Sequence, residues 1–188
     1  MAEVNLQPLN ALGGAEPARD VIGAVEIAEV PAIVLASLAS RRGREQAVAA
    51  SALAMGLALP GPGKASASTP CAALWLGPDQ WLVMADSPTH EDIAAILQAA
   101  FGPAASITEQ TGGWVCFDLR GPALPRLFEI LCPLDTATMA PGSGTRTVIE
   151  HLGCYVICLA QGWFRLFAPR SSAGSLYHAL VTAARAVA

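Results

Sequence analysis

The sequence presents one structural pattern twice. Around Trp81, and again around Trp163, an apolar strand and a tight turn precede the tryptophan, and a second strand, a Pro/Ser-containing loop and an amphipathic helix follow it. The two tryptophans lie 82 residues apart, and the helical leucines Leu97 and Leu180 lie 83 residues apart. Self-similarity at a constant period predicts two related halves that pack into one fold.

Apolar and alternating runs predict strands, and apolar residues at three- and four-residue spacing predict helices. The predicted strands span residues 25–30, 32–38, 72–77, 80–85, 106–110, 114–120, 145–152, 155–159 and 163–168. The predicted helices span residues 41–55 and 89–101, then begin at residue 121 and near residue 172. Most strands occur as hairpins, so the predicted class is α+β, with mainly antiparallel sheets, packed helices and an internal pseudo-duplication of a βαββα-like unit.

Local patterns give finer predictions. The weak alternation of residues 25–30 indicates an edge strand, and residues 106–110 are expected to pair with residues 114–120 across a Thr-Gly-Gly turn. Thr89 followed by Asp92 is typical of a capping box in which Asp replaces Glu. The helix after it is expected to bury one apolar stripe, formed by Ile93, Ile96, Leu97, Ala100 and Phe101.

The composition is poor in charge. Only 14% of residues are charged, against roughly 25% in ordinary globular domains. Either a partner covers the missing polar surface, or the composition is the alanine-rich one of a high-GC genome. Residues 1–22 are mixed and polar, which predicts an N-terminal arm or tail. Residues 23–188 are predicted to form a single domain, with halves at about 23–103 and 104–188.

Charge and hydropathy also exclude whole classes of function. The formal net charge of −4 argues against nucleic-acid binding. The longest apolar stretch, residues 47–60, is shorter than the ~20 residues that span a bilayer. The first residues lack the basic region and apolar run of a secretory signal. We therefore expect a cytoplasmic protein that binds neither nucleic acid nor membrane.

Neither the cysteines nor the histidines suggest a metal site. The five cysteines include no C-x-x-C pair. Cys154 and Cys158 lie four residues apart on a predicted strand, hence about 13 Å apart, whereas a disulfide needs Cα atoms within about 7 Å. His90, His151 and His178 are scattered. Free, buried thiols are typical of a cytosolic protein.

The sequence lacks the motifs of nucleotide sites, serine hydrolases and zinc proteases. Residues 60–64, Pro-Gly-Pro-Gly-Lys, are glycine-rich, but the prolines remove amide donors that a phosphate needs. Glu109 and Asp118 could form a carboxylate pair, although no third group is available to tune them. Arg41-Arg-Gly-Arg44 indicates a solvated basic cluster or a docking point for an acidic partner surface. We expect this chain to contain no catalytic, cofactor-binding or metal-binding residues.

Helices with one apolar stripe pack on one face of a sheet, so the face away from the helices is predicted to be available, and there tryptophans occur beside charged residues. Strand periodicity sets Trp114 and Asp118 on one face of their strand, and Trp163 and Arg165 on one face of theirs. Tryptophan and arginine are over-represented at protein interfaces. These four residues are therefore the predicted partner interface, although a half-buried tryptophan at a sheet rim would give the same pattern.

Several short strings, taken together and in order, carry a family resemblance. They are residues 76–82 (LGPDQWL), 118–122 (DLRGP), 132–135 (CPLD), 141–143 (PGS), 169–172 (PRSS) and 175–176 (SL). Over residues of about 25–185 the chain resembles the gamma subunit of heterotetrameric sarcosine oxidase. That family is related in fold to the folate-binding region of glycine-cleavage aminomethyltransferase.

The resemblance implies a bacterial cytoplasmic complex of alpha, beta, gamma and delta chains. That complex oxidatively demethylates sarcosine to glycine and hydrogen peroxide, and tetrahydrofolate captures the one-carbon unit. The resemblance assigns FAD, FMN and NAD to the alpha and beta chains and zinc to the delta chain, so the gamma chain itself binds no cofactor. It further implies that the gamma chain is a non-catalytic member that packs mainly against the alpha chain.

Two alternatives stay open from the sequence. A stand-alone protein that binds tetrahydrofolate or a one-carbon unit would need a deep polar cleft with a carboxylate aimed at the pterin. A homodimeric interaction module could use the tryptophan face instead. The sequence lacks the asparagine-rich segment and the catalytic aspartate of true aminomethyltransferases. Catalysis is therefore not expected of this chain itself.

Overall fold

A computed structural model describes residues 9–188, which form ten strands and four α-helices. The strands are β1 Arg19–Ile22, β2 Val25–Glu29, β3 Ile33–Ser40, β4 Ala72–Gly77, β5 Gln80–Asp86, β6 Ala105–Glu109, β7 Trp114–Arg120, β8 Gly144–Ile149, β9 Leu152–Ala160 and β10 Trp163–Pro169. The helices are α1 Glu45–Ala54, α2 Ile93–Phe101, α3 Leu124–Leu131 and α4 Ala173–Val187.

The strands form two antiparallel sheets. The six-stranded sheet has the order β1-β2-β7-β10-β9-β8, and the four-stranded sheet has the order β4-β5-β3-β6. Every strand pairing is antiparallel. The predicted α+β class is therefore confirmed, and the hairpin β4–β5 lies where the sequence predicted it.

The sheets pack face to face, with a pair of helices on each outer side. One apolar cluster joins the inner faces, and it is formed by Ile33, Leu35, Leu74, Leu82, Met84, Cys116, Ile157 and Phe167. A second cluster lies between the four-stranded sheet and α1 and α2, and a third lies between the six-stranded sheet and α3 and α4. Each sheet thus buries both faces, whereas the sequence predicted that the face away from the helices is available.

The predicted duplication is present and includes a strand exchange. The unit β4-β5-α2 corresponds to β9-β10-α4. Trp81 is the second residue of β5, Trp163 is the first residue of β10, and Leu97 and Leu180 are fully buried. Strand β2 precedes β3 in the chain but pairs with β7, while β6 precedes β7 but pairs with β3. Each half therefore contributes one strand to the sheet of the other half.

The predicted hairpin of residues 106–110 with residues 114–120 is wrong because of this exchange. Strand β6 ends the four-stranded sheet, and β7 lies in the middle of the six-stranded sheet. Between them Thr111 binds the β3 backbone: Leu35 N donates to Thr111 Oγ1 over 2.9 Å, and Thr111 Oγ1 donates to Leu35 O over 3.4 Å. The turn thus leads the chain from one sheet to the other.

The edge of the six-stranded sheet also differs from the prediction. Strand β2 is internal, because β1 pairs along its outer side. Strand β1 comes from the segment predicted as an arm or tail, and Tyr177 of α4 donates a hydrogen bond to Asp20 of this strand. Residues 1–8 of that segment lie outside the described residues.

The start of α2 departs from the predicted capping box. Asp92 is the N-cap itself, since its Oδ1 accepts from Ala95 N over 3.0 Å. Thr89 belongs to a preceding 3₁₀ turn and donates to Asp86 O over 3.1 Å. The helix buries Ile93, Leu97 and Phe101 as predicted, but Ile96 is 40% exposed and Ala100 is exposed too. The apolar stripe of α2 is therefore wider than the part of the helix that packs on the sheet, and the rest of the stripe faces solvent.

Candidate functional site

Two of the four residues predicted to contact a partner are bound to each other. The register of β7 and β10 sets Asp118 directly opposite Arg165. Arg165 Nε donates to Asp118 Oδ1 over 2.7 Å, and Arg165 Nη2 donates to Asp118 Oδ2 over 3.0 Å. The Arg165 side chain is 20% exposed and that of Asp118 is 8% exposed. This is a bidentate ion pair on the inner face of the six-stranded sheet.

The pair lies at the end of a small opening between the sheets. Arg165 lines a cavity of about 250 Å³, together with Asp86 and the loop of residues 66–70. Burial opposes the charge of the guanidinium, but its hydrogen bonds to Asp118 and nearby negative charge outweigh that effect and raise the pKa of Arg165. Both Asp118 oxygens are engaged, so this carboxylate ties two strands together and is not free to act as a base.

The two predicted tryptophans lie at opposite ends of the same strand pair. Trp163 lies opposite Arg120, whose guanidinium carbon is 4.1 Å from the centroid of the indole, a cation–π contact. Trp114 packs against Tyr155 with ring centroids 5.5 Å apart and donates Nε1–H to Gln110 Oε1 over 3.3 Å. Both indoles are half-buried. A partner interface at these residues stays a prediction.

Glu29 is a buried carboxylate that sequence analysis did not single out. It is 6% exposed, and its oxygens accept three backbone N–H groups, from Ala11 over 2.8 Å, Leu12 over 3.3 Å and Ala18 over 3.2 Å. The signal was available in the sequence, because Glu29 shares one face of β2 with Val25 and Ile27, and a charge on an apolar strand face needs partners. Glu29 fastens the segment that precedes β1 to the sheet.

A cavity of about 290 Å³ lies beside this segment. Its polar lining includes Glu29, Trp114 and Arg170, and Arg170 Nη2 donates to Leu9 O over 2.9 Å. Each of these side chains already has a hydrogen-bond partner within the chain. The geometry is that of a packed connection between the N-terminal segment and the sheets.

The thiols are unsuited to nucleophilic chemistry. All five cysteines are free and buried, and burial raises the pKa of Cys154 to about 11 and raises that of Cys116 further. A thiol needs to be a thiolate to attack an electrophile or to bind metal. Within residues 9–188 no group of three or more His, Cys, Asp or Glu side chains could hold a metal ion. No helix in that range is long and apolar enough to cross a membrane.

Helices α1 and α2 each expose one large apolar side chain. Leu53 of α1 is 82% exposed and Ile96 of α2 is 40% exposed. The other side chains directed outward from these two helices are mainly alanines. We call this surface the α1/α2 outer face; it is formed by Ala47, Ala50, Leu53, Ala95, Ile96 and Ala99.

The solved structures that share the fold include a sarcosine oxidase and an aminomethyltransferase. The heterotetrameric sarcosine oxidase from Corynebacterium sp. U-96 contains a chain that matches with a TM-score of 0.72 at 22% identity, over 89% of this chain and 87% of that one. The glycine cleavage system aminomethyltransferase T from Bartonella henselae matches with a TM-score of 0.61 at 14% identity, over 84% of this chain. The match covers 48% of the aminomethyltransferase, about half its length.

The sequence itself gave no match to a protein-family model or to a curated protein. The likeness is therefore one of fold. It confirms the fold that the ordered motifs predicted, namely the one shared by a chain of heterotetrameric sarcosine oxidase and by aminomethyltransferase T.

Proposed function

We propose that this chain is the gamma-like, non-catalytic structural subunit of a heterotetrameric, flavin- and folate-dependent sarcosine oxidase. In that complex sarcosine is demethylated to glycine and hydrogen peroxide, and the one-carbon unit passes to tetrahydrofolate. FAD, FMN, NAD, tetrahydrofolate and zinc are held by other subunits. The alpha subunit is the main partner, beta and delta complete the assembly, and the complex resides in the bacterial cytoplasm.

The observation that carries this proposal is the mutual coverage of the two chains. The match spans 89% of this chain and 87% of the sarcosine oxidase chain, so the two have nearly the same extent. The aminomethyltransferase continues well beyond the shared region, since only 48% of it is covered. The shared fold accounts for most of the sarcosine oxidase chain and for only about half of the aminomethyltransferase, which supports the assignment to a small subunit.

The buried carboxylates support the same choice. A stand-alone folate-binding protein needs a free carboxylate in a polar cleft, and the buried carboxylates among the described residues are Glu29 and Asp118. Glu29 accepts three backbone amides, and Asp118 is bound at both oxygens by Arg165. A pterin would have to displace these contacts, which costs several kcal/mol for a buried ion pair.

Co-expression tests the proposal. The full chain and the large alpha subunit from the same source are expected to co-purify at equal stoichiometry, and all four chains together are expected to oxidise sarcosine. Titration of the isolated chain with tetrahydrofolate is expected to release no binding heat. Failure to co-purify, together with micromolar folate binding by the isolated chain, would replace this proposal with the stand-alone alternative.

A further inference from the structure

The α1/α2 outer face carries almost no charge. Within α1 the only charged residue is Glu45 in the first turn, and α2 contains none. Leu53, the next-to-last residue of α1, is 82% exposed, and Ile96 on the neighbouring helix is 40% exposed. A lone exposed leucine is ordinary on a soluble protein, but a charge-free surface of two adjacent helices is typical of an interaction site.

The duplicated half of the molecule provides an internal comparison. Helices α3 and α4 cover the other sheet in the same way, yet Arg126, Glu129, His178 and Arg185 are exposed on them. The same architecture therefore has charged or ionisable side chains exposed on the α3/α4 layer and almost none on the α1/α2 outer face. Composition alone does not explain this difference, because both layers belong to one alanine-rich chain.

A basic cluster borders the α1/α2 outer face. Arg41, Arg42 and Arg44 precede α1, and all three are exposed. Arg41 N donates to Ala104 O over 2.9 Å, which places the cluster beside the end of α2. The ion pairs found among residues 9–188 are Arg19–Glu26 and Arg165–Asp118, so these three arginines have no acidic partner there.

We propose that the α1/α2 outer face docks a different polypeptide, whose surface supplies large apolar side chains in the centre and acidic side chains opposite Arg41, Arg42 and Arg44. This inference rests on the proposed function and names the surface that the alpha subunit covers. A second copy of the chain fits less well, because its own α1/α2 outer face contains no acidic side chain to meet the exposed arginines. Interfaces are held by large central anchors, and a shallow alanine surface accommodates such anchors from a partner.

The test compares variants of the full chain for binding to the purified alpha subunit. Leu53→Asp and Ile96→Asp place a charge in the centre of the proposed contact and are expected to weaken binding at least tenfold each. Arg42→Glu is expected to slow association and to flatten its dependence on salt, because rim charges act mainly on encounter. Ile130→Asp is the matched control, since Ile130 is 56% exposed on α3 in the other half, and its binding should be unchanged.

Circular dichroism and thermal melting of each variant exclude misfolding as the cause of a loss. If the wild-type chain binds the alpha subunit and Leu53→Asp and Ile96→Asp bind it as tightly, whether or not Ile130→Asp weakens binding, the docking face is wrong and the proposed function stands. If the wild-type chain does not bind the alpha subunit at all, both the proposed docking face and the proposed function are wrong. A homodimer that Leu53→Asp dissociates, with alpha binding unaffected, also overturns the inference.

Discussion

Removing one partner of the Asp118–Arg165 pair should cost far more stability than removing one partner of an ion pair at the surface. Asp118→Asn keeps the shape of the side chain but leaves the Arg165 guanidinium without its counter-charge. Removing one partner of a buried pair costs about 3–5 kcal/mol. Because Arg165 is 20% exposed, water compensates in part, and we expect a loss of about 2–3 kcal/mol. For a chain of this size the melting temperature should fall by roughly 4–12 °C.

The surface pair Arg19–Glu26 is the control, with N and O atoms 2.8 Å apart and side chains 68% and 23% exposed. Glu26→Gln should cost less than about 1 kcal/mol. Urea unfolding followed by tryptophan fluorescence and circular dichroism measures both free energies. The double variant Asp118→Leu/Arg165→Met removes both charges and should be more stable than Asp118→Asn. An Asp118→Asn loss no larger than that of Glu26→Gln, or a double variant less stable than Asp118→Asn, would refute this reasoning.

Three further predictions concern backbone strain, pH and thiol chemistry. Gly121 has φ +132°, and a Cβ there would meet the backbone carbonyl of Ala24, so Gly121→Ala should lower the free energy of unfolding by more than about 2 kcal/mol. Gly43 has φ +76° in open space, so Gly43→Ala should lower it by about 1 kcal/mol. Equal losses of the two variants in urea unfolding would contradict this prediction. Burial and the hydrogen bond to Asp20 raise the pKa of Tyr177 from 10.0 to about 12. Because the folded state then retains a proton that the unfolded state releases, the free energy of unfolding should decline between about pH 10 and 12. Tyr177→Phe should show a shallower decline over the same range. Burial raises the pKa of Cys154 to about 11. Cys154 of the native chain should therefore resist a thiol reagent at pH 8, whereas the urea-unfolded chain should react within minutes. Rapid labelling of native Cys154, located by mass spectrometry, would show that this thiol is not buried.

The duplication was predictable because its signals are local and repeated. Trp81 and Trp163 follow the same kind of tight turn, and each begins the second strand of a hairpin. Hairpin pairing needs only neighbouring residues, and helix stripes need only one turn of sequence. The hairpin β4–β5 and the start of α4 near residue 172 therefore follow from short windows of sequence.

The strand exchange was not predictable in this way, because pairing between distant segments leaves no local signal. Residues 106–110 and 114–120 have the composition of a hairpin, and Thr111-Gly-Gly113 is compatible with a turn in either arrangement. The choice depends on β3, whose Ser37 lies opposite Thr108, and on β2, whose Ile27 lies opposite Leu119. The predicted burial of Ile96 was wrong for a similar reason. How closely a helix packs on its sheet decides how much of its apolar stripe is buried, and that packing leaves no local signal in the sequence.

The packing of the two sheets determines where this molecule can meet another one. Sequence periodicity predicted a partner surface on the sheet face opposite the helices, and the centre of that face is buried between the two sheets. The half-buried Trp114 and Trp163 at its two ends leave that prediction open, and the outer helix layers, the sheet edges and the loops are further exposed surfaces. The two halves share one arrangement of strands and helices, yet one helix layer exposes Arg126, Glu129 and Arg185 while the other exposes Leu53 among alanines. Charged residues are depleted at the centres of protein interfaces, so the uneven distribution of charge between these two exposed layers supports contact of the α1/α2 outer face with another polypeptide.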